Sequence, residues 1–373
     1  MKVYGVLILL IATAATAATK YSIRNLGTFG GTEGQATGIN NSGEVSGSAT
    51  LPGDLTSHAS LYSGGVLNDL GALSGGDLSA GFAVNANGAV AGLSRIITDA
   101  AGSYADRAVL FSDNIVLDIG TLGGAEAYAY GINDRNEITG QSYTASRSAH
   151  AFLYSDGVMH DLGTLSDINH VPPGTAQSNG ADVNNLGQVV GMSTTNSGTQ
   201  HAFLYSDGAM HDLGTFADGL SGGSSGAFAI SDVEQITGFS DSISGYYHAF
   251  IYLDGVMHDL GTLGGNRSVG RAINNQGMVV GDAEVAVPND VPSSHAFVYA
   301  RGIMQDLNSL IPENSGWLLQ NAFGINESGY IVGDGSIGDK TYAFLLTPVP
   351  LPTTLPMLAS AFCGLGLLRR RAS

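Results

Sequence analysis

Histidine and aspartate are the side chains of this sequence best suited to catalysis or metal binding, and both recur at fixed intervals. Eight of the nine histidines fall into two sets, one comprising His58, His150, His201, His248 and His295 and the other His160, His211 and His258. A catalytic centre needs one asymmetric constellation, and equivalent positions on separate repeat units lie too far apart to share one zinc ion. We therefore expect these histidines to serve hydrogen bonding within each unit, and we predict no catalytic residue and no metal ligand.

The aspartates raise the alternative of calcium, which prefers oxygen ligands. One repeat position is occupied by Asp69, Asp118, Asp161, Asp212, Asp259 and Asp306, with Asn25 as its seventh member. No Asp-x-Asp-x-Asp loop is present, and a side chain that ties a strand end to the following turn explains the same pattern. The sequence also lacks a Gly-x-Ser-x-Gly elbow and a phosphate-binding glycine loop before a helix. We expect no cofactor, and calcium stays the alternative.

These residues lie in a repeat of about 47 residues. The segment 150–164 returns as 201–215 with one change, Ala209 in place of Val158, and looser copies begin at His58, Arg107, His248, His295 and Tyr342. A second block of the form Gly-Ile-Asn, a short polar turn and Ile-x-Gly occurs seven times. A fixed period of this length indicates a solenoid, a propeller or an array.

Each repeat reads as four short β-strands in two hairpins. Segments rich in β-forming residues flank turn signals such as Ser155-Asp156-Gly157 and Asn41-Ser42-Gly43. Four strands in about 47 residues fit one propeller blade. The sequence therefore predicts an all-β, seven-bladed β-propeller over residues 19–347. The resemblance of the unit to kelch repeats implies that the Gly-Ile-Asn strand is innermost and the Asp-Leu-Gly-Thr strand outermost.

Both ends of this region are half repeats. Residues Ile23 to Thr28 match the outermost strand without its partner, and Ala343 to Leu346 match the partner without the outermost strand. An open array would leave two unpaired sheet edges, which β-proteins avoid. We expect Tyr21 to Asn25 to pair antiparallel with Ala343 to Leu346 and to close the ring.

The motifs His-Ala-Phe-Leu-Tyr, Asp-Leu-Gly-Thr-Leu-Gly-Gly and Gly-Ile-Asn resemble the extracellular HAF repeat over roughly residues 21–347. That resemblance implies an extracellular, propeller-like protein without a defined activity. It adds more to the expected fold and location than to the chemistry.

The two ends of the chain indicate export. Residues 1–18, with Lys2, an apolar run and small residues near Ala17, are typical of a secretory signal peptide. Residues 348–373 resemble a PEP-CTERM sorting signal, which a membrane exosortase of Gram-negative bacteria recognises and removes. The matching positions are Val349, Pro350, Leu351, Pro352, Arg369, Arg370 and Arg371. Leu351 stands where the glutamate of that motif usually lies, and a retained membrane anchor is the alternative.

Removal of both ends leaves ten basic and 32 acidic residues, a formal charge of −22, and no cysteine, because Cys363 lies in the tail. Such a charge argues against nucleic acid as a partner, and against membrane contact other than transient contact through the terminal signals. The expected partners are signal peptidase, an exosortase-type enzyme, and exopolysaccharide or surface proteins.

The segments that do not follow the repeat lie in the loops, and loops often carry function on rigid scaffolds. His170, in an insertion outside the repeat, and Trp317, the only tryptophan, are the candidate binding residues. We expect a non-enzymatic binding or structural propeller of the cell surface or extracellular matrix. The alternative is a secreted polysaccharide hydrolase or lyase, which would require a non-repeating cluster of catalytic side chains at one mouth of the channel.

Overall fold

The computed structural model describes residues 19–99, 102–167, 175–216, 222–286 and 293–350. Within these ranges the regular structure consists of 28 β-strands and one 3-10 turn, Leu307–Ser309. The strands form seven four-stranded antiparallel sheets. The protein is a seven-bladed β-propeller, as the repeat predicted.

The strands are numbered in chain order. Blade 1 contains β2 (Gly34–Ile39), β3 (Val45–Thr50), β4 (Ser57–Ser63) and β5 (Val66–Asp69). Blade 2 contains β6 (Ser79–Val84), β7 (Val90–Ile97), β8 (Tyr104–Ser112) and β9 (Ile115–Asp118). Blade 3 contains β10 (Gly123–Ile132), β11 (Ile138–Thr144), β12 (Ala149–Ser155) and β13 (Val158–Gly163). Blade 4 contains β14 (Ser178–Val183), β15 (Val189–Thr194), β16 (Gln200–Ser206) and β17 (Ala209–Asp212).

The remaining blades follow the same order. Blade 5 contains β18 (Ser225–Ile230), β19 (Ile236–Asp241), β20 (Tyr247–Leu253) and β21 (Val256–Asp259). Blade 6 contains β22 (Gly264–Ile273), β23 (Val279–Val285), β24 (Ser294–Ala300) and β25 (Ile303–Asp306). Blade 7 contains β26 (Trp317–Ile325), β27 (Ile331–Ile337), β28 (Lys340–Pro348) and, from the other end of the chain, β1 (Tyr21–Asn25).

The first strand of every blade lies at the centre of the ring. Each of these strands contacts the first strands of both neighbouring blades, and β2 contacts β26, which completes the circle. Residues at the ends of all seven first strands line one shared cavity. The Gly-Ile-Asn strand is therefore innermost and the Asp-Leu-Gly-Thr strand outermost, as predicted.

The ring closes through the predicted pairing of the two chain ends. Strand β1 runs antiparallel to β28, with Asn25 opposite Phe344 and Tyr21 opposite Pro348. The N–H of Val349 extends this ladder by donating to the carbonyl oxygen of Lys20 at 2.8 Å. Tyr21 is buried against the core of blade 7.

Local sequence explains the hairpins and the recurring glycines. Asp156 and Gly157 both have positive φ (51° and 79°), the conformation of the tight turns that suit strand twist. Gly140, which closes the second repeated block of blade 3, packs so closely on β10 that a Cβ there would overlap the carbonyl oxygen of Tyr128. The same overlap recurs at Gly47, Gly92, Gly191, Gly238, Gly281 and Gly333. Close strand packing therefore explains these glycines.

The core lies between blades. The phenylalanine of the His-Ala-Phe motif is fully buried wherever it occurs, at Phe152, Phe203, Phe250, Phe297 and Phe344. Each such side chain contributes roughly 1.5–3 kcal/mol through burial. Because blades pack face to face, both faces of the third strand are covered, and its sequence is apolar instead of alternating.

Several predicted features lie outside the described residues: the signal peptide at 1–18, His170, Leu351, Pro352, Arg369, Arg370 and Arg371. In the part of the chain that the structure describes, no helix has the length and apolar character needed to cross a bilayer.

Candidate functional site

The repeated histidines and aspartates bind each other. In blade 3 the Nδ1 atom of His150 lies 2.9 Å from both carboxylate oxygens of Asp161, and one of these oxygens accepts from the N–H of Gly163 at 2.8 Å. Burial alone would raise the pKa of Asp161, but the hydrogen bonds from His150 and Gly163 outweigh burial and lower that pKa. The equivalent pairs are His58–Asp69, His201–Asp212, His248–Asp259 and His295–Asp306.

Blade 2 shows that this pair serves to join the third and fourth strands of one blade. Arg107 replaces the histidine there, and its Nε donates to Asp118 at 3.0 Å. An interaction that accepts either a histidine or an arginine side chain does not depend on imidazole chemistry. In the described residues, no group of three or more His, Cys, Asp or Glu side chains is placed to hold a metal ion.

A second repeated set, which we name the asparagine ring, joins neighbouring blades at one mouth of the channel. It comprises Asn40, Asn85, Asn133, Asn184, Asn274 and Asn326, with Ser231 at its seventh position. The side-chain amide of Asn133, for example, donates to the carbonyl oxygen of Asn184 at 3.0 Å, while its own oxygen accepts from the N–H groups of Arg135 and Glu137. These side chains are buried, and their polar atoms are used in blade-to-blade contacts.

Three residues before each of these positions the ladder between first and second strands is interrupted by a β-bulge in all seven blades. A bulge leaves one residue unpaired and redirects its side chain. The unpaired residues, which we name the bulge ring, are Thr37, Phe82, Tyr130, Ala181, Phe228, Arg271 and Phe323. They line one cavity of about 260 Å³ inside the channel.

The bulge ring differs in composition from blade to blade. Four of its seven members are aromatic, and the rings of Phe82 and Tyr130 lie 5.6 Å apart. Arg271 lies 5.4 Å from the ring centre of Phe323 and 5.9 Å from that of Phe228. Its Nε donates to Asp282 at 2.6 Å, which fixes the guanidinium between the two rings.

Around the bulge ring, the carboxylate of Asp334 is hydrogen-bonded and the phenols are uncharged. Asp334 accepts from the amide of Asn321 at 2.7 Å, and burial raises the pKa of Asp334 despite this bond. Burial raises the pKa of Tyr130 to about 12. Tyr128, stacked on Tyr130 at 6.2 Å, has its pKa raised by burial and by the negative charge of Glu126. Both phenols are therefore protonated, uncharged donors at neutral pH.

Asp182 is the only acid among the described residues that line the bulge-ring cavity. It occupies a position that is glycine or alanine in the other six blades: Gly38, Ala83, Gly131, Ala229, Ala272 and Gly324. Its carboxylate accepts from the N–H of Val183 at 2.8 Å and from that of Ile230 in blade 5 at 3.0 Å. Burial raises its pKa to about 6 in spite of these bonds.

Sequence reasoning missed both the bulge ring and Asp182. The signal was present, because the residue three before each asparagine changes in almost every repeat while its neighbours stay small or β-branched. Periodicity identifies what repeats, whereas these side chains are distinguished by failing to repeat.

The family model described as "Protein of unknown function (DUF3466)" matches residues 76–221 and 217–344. The chain belongs to this family. Two successive matches on one DUF3466 chain agree with an architecture built from repeats. No curated protein matches the sequence.

Solved propellers resemble the fold of this DUF3466 protein at low sequence identity. The β-propeller domain of the trilobed protease from Pyrococcus furiosus is 7% identical, with a TM-score of 0.49, over 84% of this chain and 95% of that one. A puromycin-hydrolyzing peptidase from Mycobacterium tuberculosis is 11% identical, with a TM-score of 0.49, over 86% of this chain and 52% of that one. TolB from Acinetobacter baumannii is 13% identical, with a TM-score of 0.40, over 70% of this chain and 63% of that one.

The described binding candidate of this DUF3466 protein, Trp317, begins β26. It is half-buried and lies edge to face with Tyr342 and Phe344, at 6.3 and 6.2 Å between ring centres. Trp317 is not among the residues lining the bulge-ring cavity. Val349 and Pro350, the described part of the predicted sorting motif, follow β28 directly.

Proposed function

We propose that this protein is a secreted, non-enzymatic binding propeller of the bacterial envelope or exopolysaccharide matrix, and that the bulge ring takes its ligand. The observation that carries the proposal is a contrast in the channel wall. The side chains of the asparagine ring repeat and are used in hydrogen bonds between blades, whereas those of the bulge ring do not repeat and line one cavity. Aromatic faces, the neutral phenol of Tyr130 and one fixed guanidinium suit the stacking and hydrogen bonding of a saccharide.

The size of the cavity limits what enters. The cavity volume of about 260 Å³ is slightly below the range of ligand pockets, which run from roughly 300 Å³ upward. We therefore propose that a single sugar unit or a chain end binds here, and that a polymer does not thread through.

A glycan array with the mature domain, residues 19–350, tests this proposal. Phe228→Ala and Phe323→Ala should each abolish the signals given by the wild-type protein. Val256→Ala, on the outermost strand of blade 5 and half exposed, is the matched control and should keep them. Loss of the signals in the control as well, or their survival in both ring variants, would remove the bulge ring from the proposal.

The second candidate function is a secreted polysaccharide hydrolase or lyase. Asp182 favours it, because a carboxyl group with a pKa of about 6 beside Tyr130 in the same cavity has the protonation range of a general acid. Incubating the domain with acidic and neutral polysaccharides and measuring new reducing ends or unsaturated ends tests it. Product formation that Asp182→Asn abolishes would establish catalysis and replace the binding proposal.

The location of the protein is part of the proposal and rests on the signals at the two ends. Signal peptidase removes residues 1–18, and an exosortase-type enzyme cuts near Pro350. Intact-mass measurement on surface-released protein tests this step. A mass that still includes Arg369 to Arg371 would favour the retained membrane anchor.

A further inference from the structure

A cleft of about 460 Å³ lies where blade 7 meets blade 1, at the junction of the two chain ends. We name it the seam cleft. It is lined by β1 and the turn after it, by β4 and β5 of blade 1, and by the start of β28. It shares no lining residue with the bulge-ring cavity.

Blade 7 departs from the other blades at this cleft. Strand pairing places Tyr342 where five blades have the histidine of the His–Asp pair, and Asn25 where all six have the aspartate. The neighbouring position, His160 in blade 3, is Arg24 here. Blade 7 has therefore lost a carboxylate and gained a guanidinium at one site.

Neither cation of the cleft, Arg24 or Lys340, has a carboxylate partner at ion-pair distance within the described residues. Arg24 donates to the hydroxyl of Tyr62 at 2.7 Å. The positive charge of Lys340 contributes to lowering the pKa of Asp54. The carboxylate of Asp54 also accepts hydrogen bonds from the N–H and the hydroxyl of Thr32. Two unpaired cations share this cleft in a region that holds only ten basic residues against 32 acidic ones.

The rest of the lining is small and polar. The carbonyl oxygen of the Asn25 side chain accepts from the N–H of Gly27 at 2.8 Å, which leaves its amino group as a donor for the cleft. Thr28, Thr32 and the glycines at 27, 31 and 65 complete much of the wall. Tyr342 is held edge to face by Trp317.

We propose that the seam cleft is an anion site for an acidic polysaccharide. Arg24 and Lys340 pair with a carboxylate or sulfate group, the guanidinium supplying a planar fork and the ammonium a point charge. Hydroxyl, amide and aromatic groups beside them match the sugar that carries the charge. An acidic saccharide is favoured over an acidic peptide because the wall offers few apolar surfaces for side chains.

Titration calorimetry of the mature domain tests this proposal with three probes: polygalacturonate, dextran sulfate and neutral dextran. We expect binding of one or both acidic polymers, which weakens as salt rises, and no binding of dextran. A preference between the two acidic polymers identifies the charged group as carboxylate or sulfate. Binding of dextran at equal strength would overturn the assignment.

Arg24→Gln with Lys340→Gln should weaken binding of the acidic polymer at least roughly tenfold, because charge-assisted hydrogen bonds are lost. The matched control is Arg135→Gln with Arg147→Gln, which makes the same change of net charge on blade 3. The control should retain wild-type affinity. An equal loss in both double variants would mean that net charge alone governs binding and would remove the site.

Asn25→Asp with Tyr342→His rebuilds the pair that five blades carry, so this variant should fold. The restored carboxylate should weaken binding at least as strongly as the Gln variants do. Unchanged affinity in a folded variant, or stronger binding of poly-glutamate than of either polysaccharide, would contradict the proposal. Val256→Ala, on the outermost strand of blade 5 and away from both cavities, should leave this binding unchanged.

Discussion

The bulge ring lies on the first strand of each blade and the asparagine ring lies three residues later, just past the end of that strand, yet the two rings obey opposite rules. The asparagine ring repeats in six of seven blades, and its side chains are buried in hydrogen bonds between neighbours. The bulge ring has five residue types in seven positions, and its side chains are half-buried around a cavity.

The difference separates architecture from recognition. A closed ring of repeats needs the same contact at every junction, so selection for stability makes these positions alike. A ligand has no sevenfold symmetry, and a site that recognises one must break the symmetry of its scaffold. In this propeller the bulge converts a strand position that would pack between blades into one that faces the channel.

The largest effect should come from opening the ring. Deleting residues 19–28 removes β1 and the buried Tyr21, and leaves β28 as an unpaired edge. We expect the whole domain to lose stability, with a fall in the thermal midpoint of roughly 10 °C or more, because closure involves every blade. Differential scanning calorimetry measures this fall.

Truncation after Pro350 is the control for that deletion and should leave the midpoint unchanged. A midpoint that also stays unchanged without residues 19–28 would mean that the ring is sealed by other contacts. The repeated positions would then contribute less to the stability of the ring than we infer from comparing the two rings.

The second effect sets the two rings against each other. Asn133→Ala removes buried hydrogen bonds on both sides of one junction and should cost about 3 kcal/mol of unfolding free energy. Phe323→Ala, in the bulge ring, should cost less than about 1.5 kcal/mol, because its side chain is only half-buried. Chemical denaturation measures both.

Asn133→Ser is the matched control, because blade 5 carries Ser231 at this position and its hydroxyl accepts from the N–H of Gln235. It should cost about half as much as the alanine variant, since one of the two kinds of contact survives. If the bulge-ring variant proves the more costly of the two, the division between architecture and recognition is wrong.

Much of the fold was predictable because it repeats. The near-verbatim copies at His150 and His201, the closing glycines such as Gly140, and the half repeats at Ile23 and Ala343 specified the blade count and the closure, and the resemblance to kelch repeats supplied the strand order. The site was not predictable in the same way. Whether a residue such as Phe228 faces the channel depends on a bulge, which no fixed residue type marks in the sequence, and Asp182 is distinguished only by differing from six small residues.

The third effect concerns Asp182 and pH. Its pKa is raised to about 6, above the unfolded value of roughly 3.9. The folded state therefore binds the proton more tightly, so stability should fall as pH rises from about 4 through 6. This part of the pH dependence, on the order of 2 kcal/mol, should be absent in Asp182→Ala, which has the residue of blades 2, 5 and 6.

Denaturant titrations of both proteins at pH 4.5 and pH 7.5 measure this difference. Asp182→Asn keeps the shape of the side chain and should behave like the alanine variant in its pH dependence. The same pH dependence in all three proteins would show that Asp182 is ionised at little cost and is not the asymmetric acid of the wall.

The smallest effect should come from the His–Asp pairs, which repeat but lie at the solvent. His150→Ala should cost about 0.5–1 kcal/mol, because Asp161 is substantially exposed and its interaction is screened. His150→Arg should restore most of that loss, since Arg107 makes the same contact in blade 2.

The pKa of Asp161 is lowered in the folded protein, so the stability that the pair contributes is present above the unfolded pKa of roughly 4 and is lost as pH falls below it. Parallel denaturation of the three proteins at pH 7 and pH 3 measures both claims. If the arginine variant is no more stable than the alanine variant at pH 7, the pair depends on imidazole itself, and the repeated histidines belong with the recognition residues instead of the architecture.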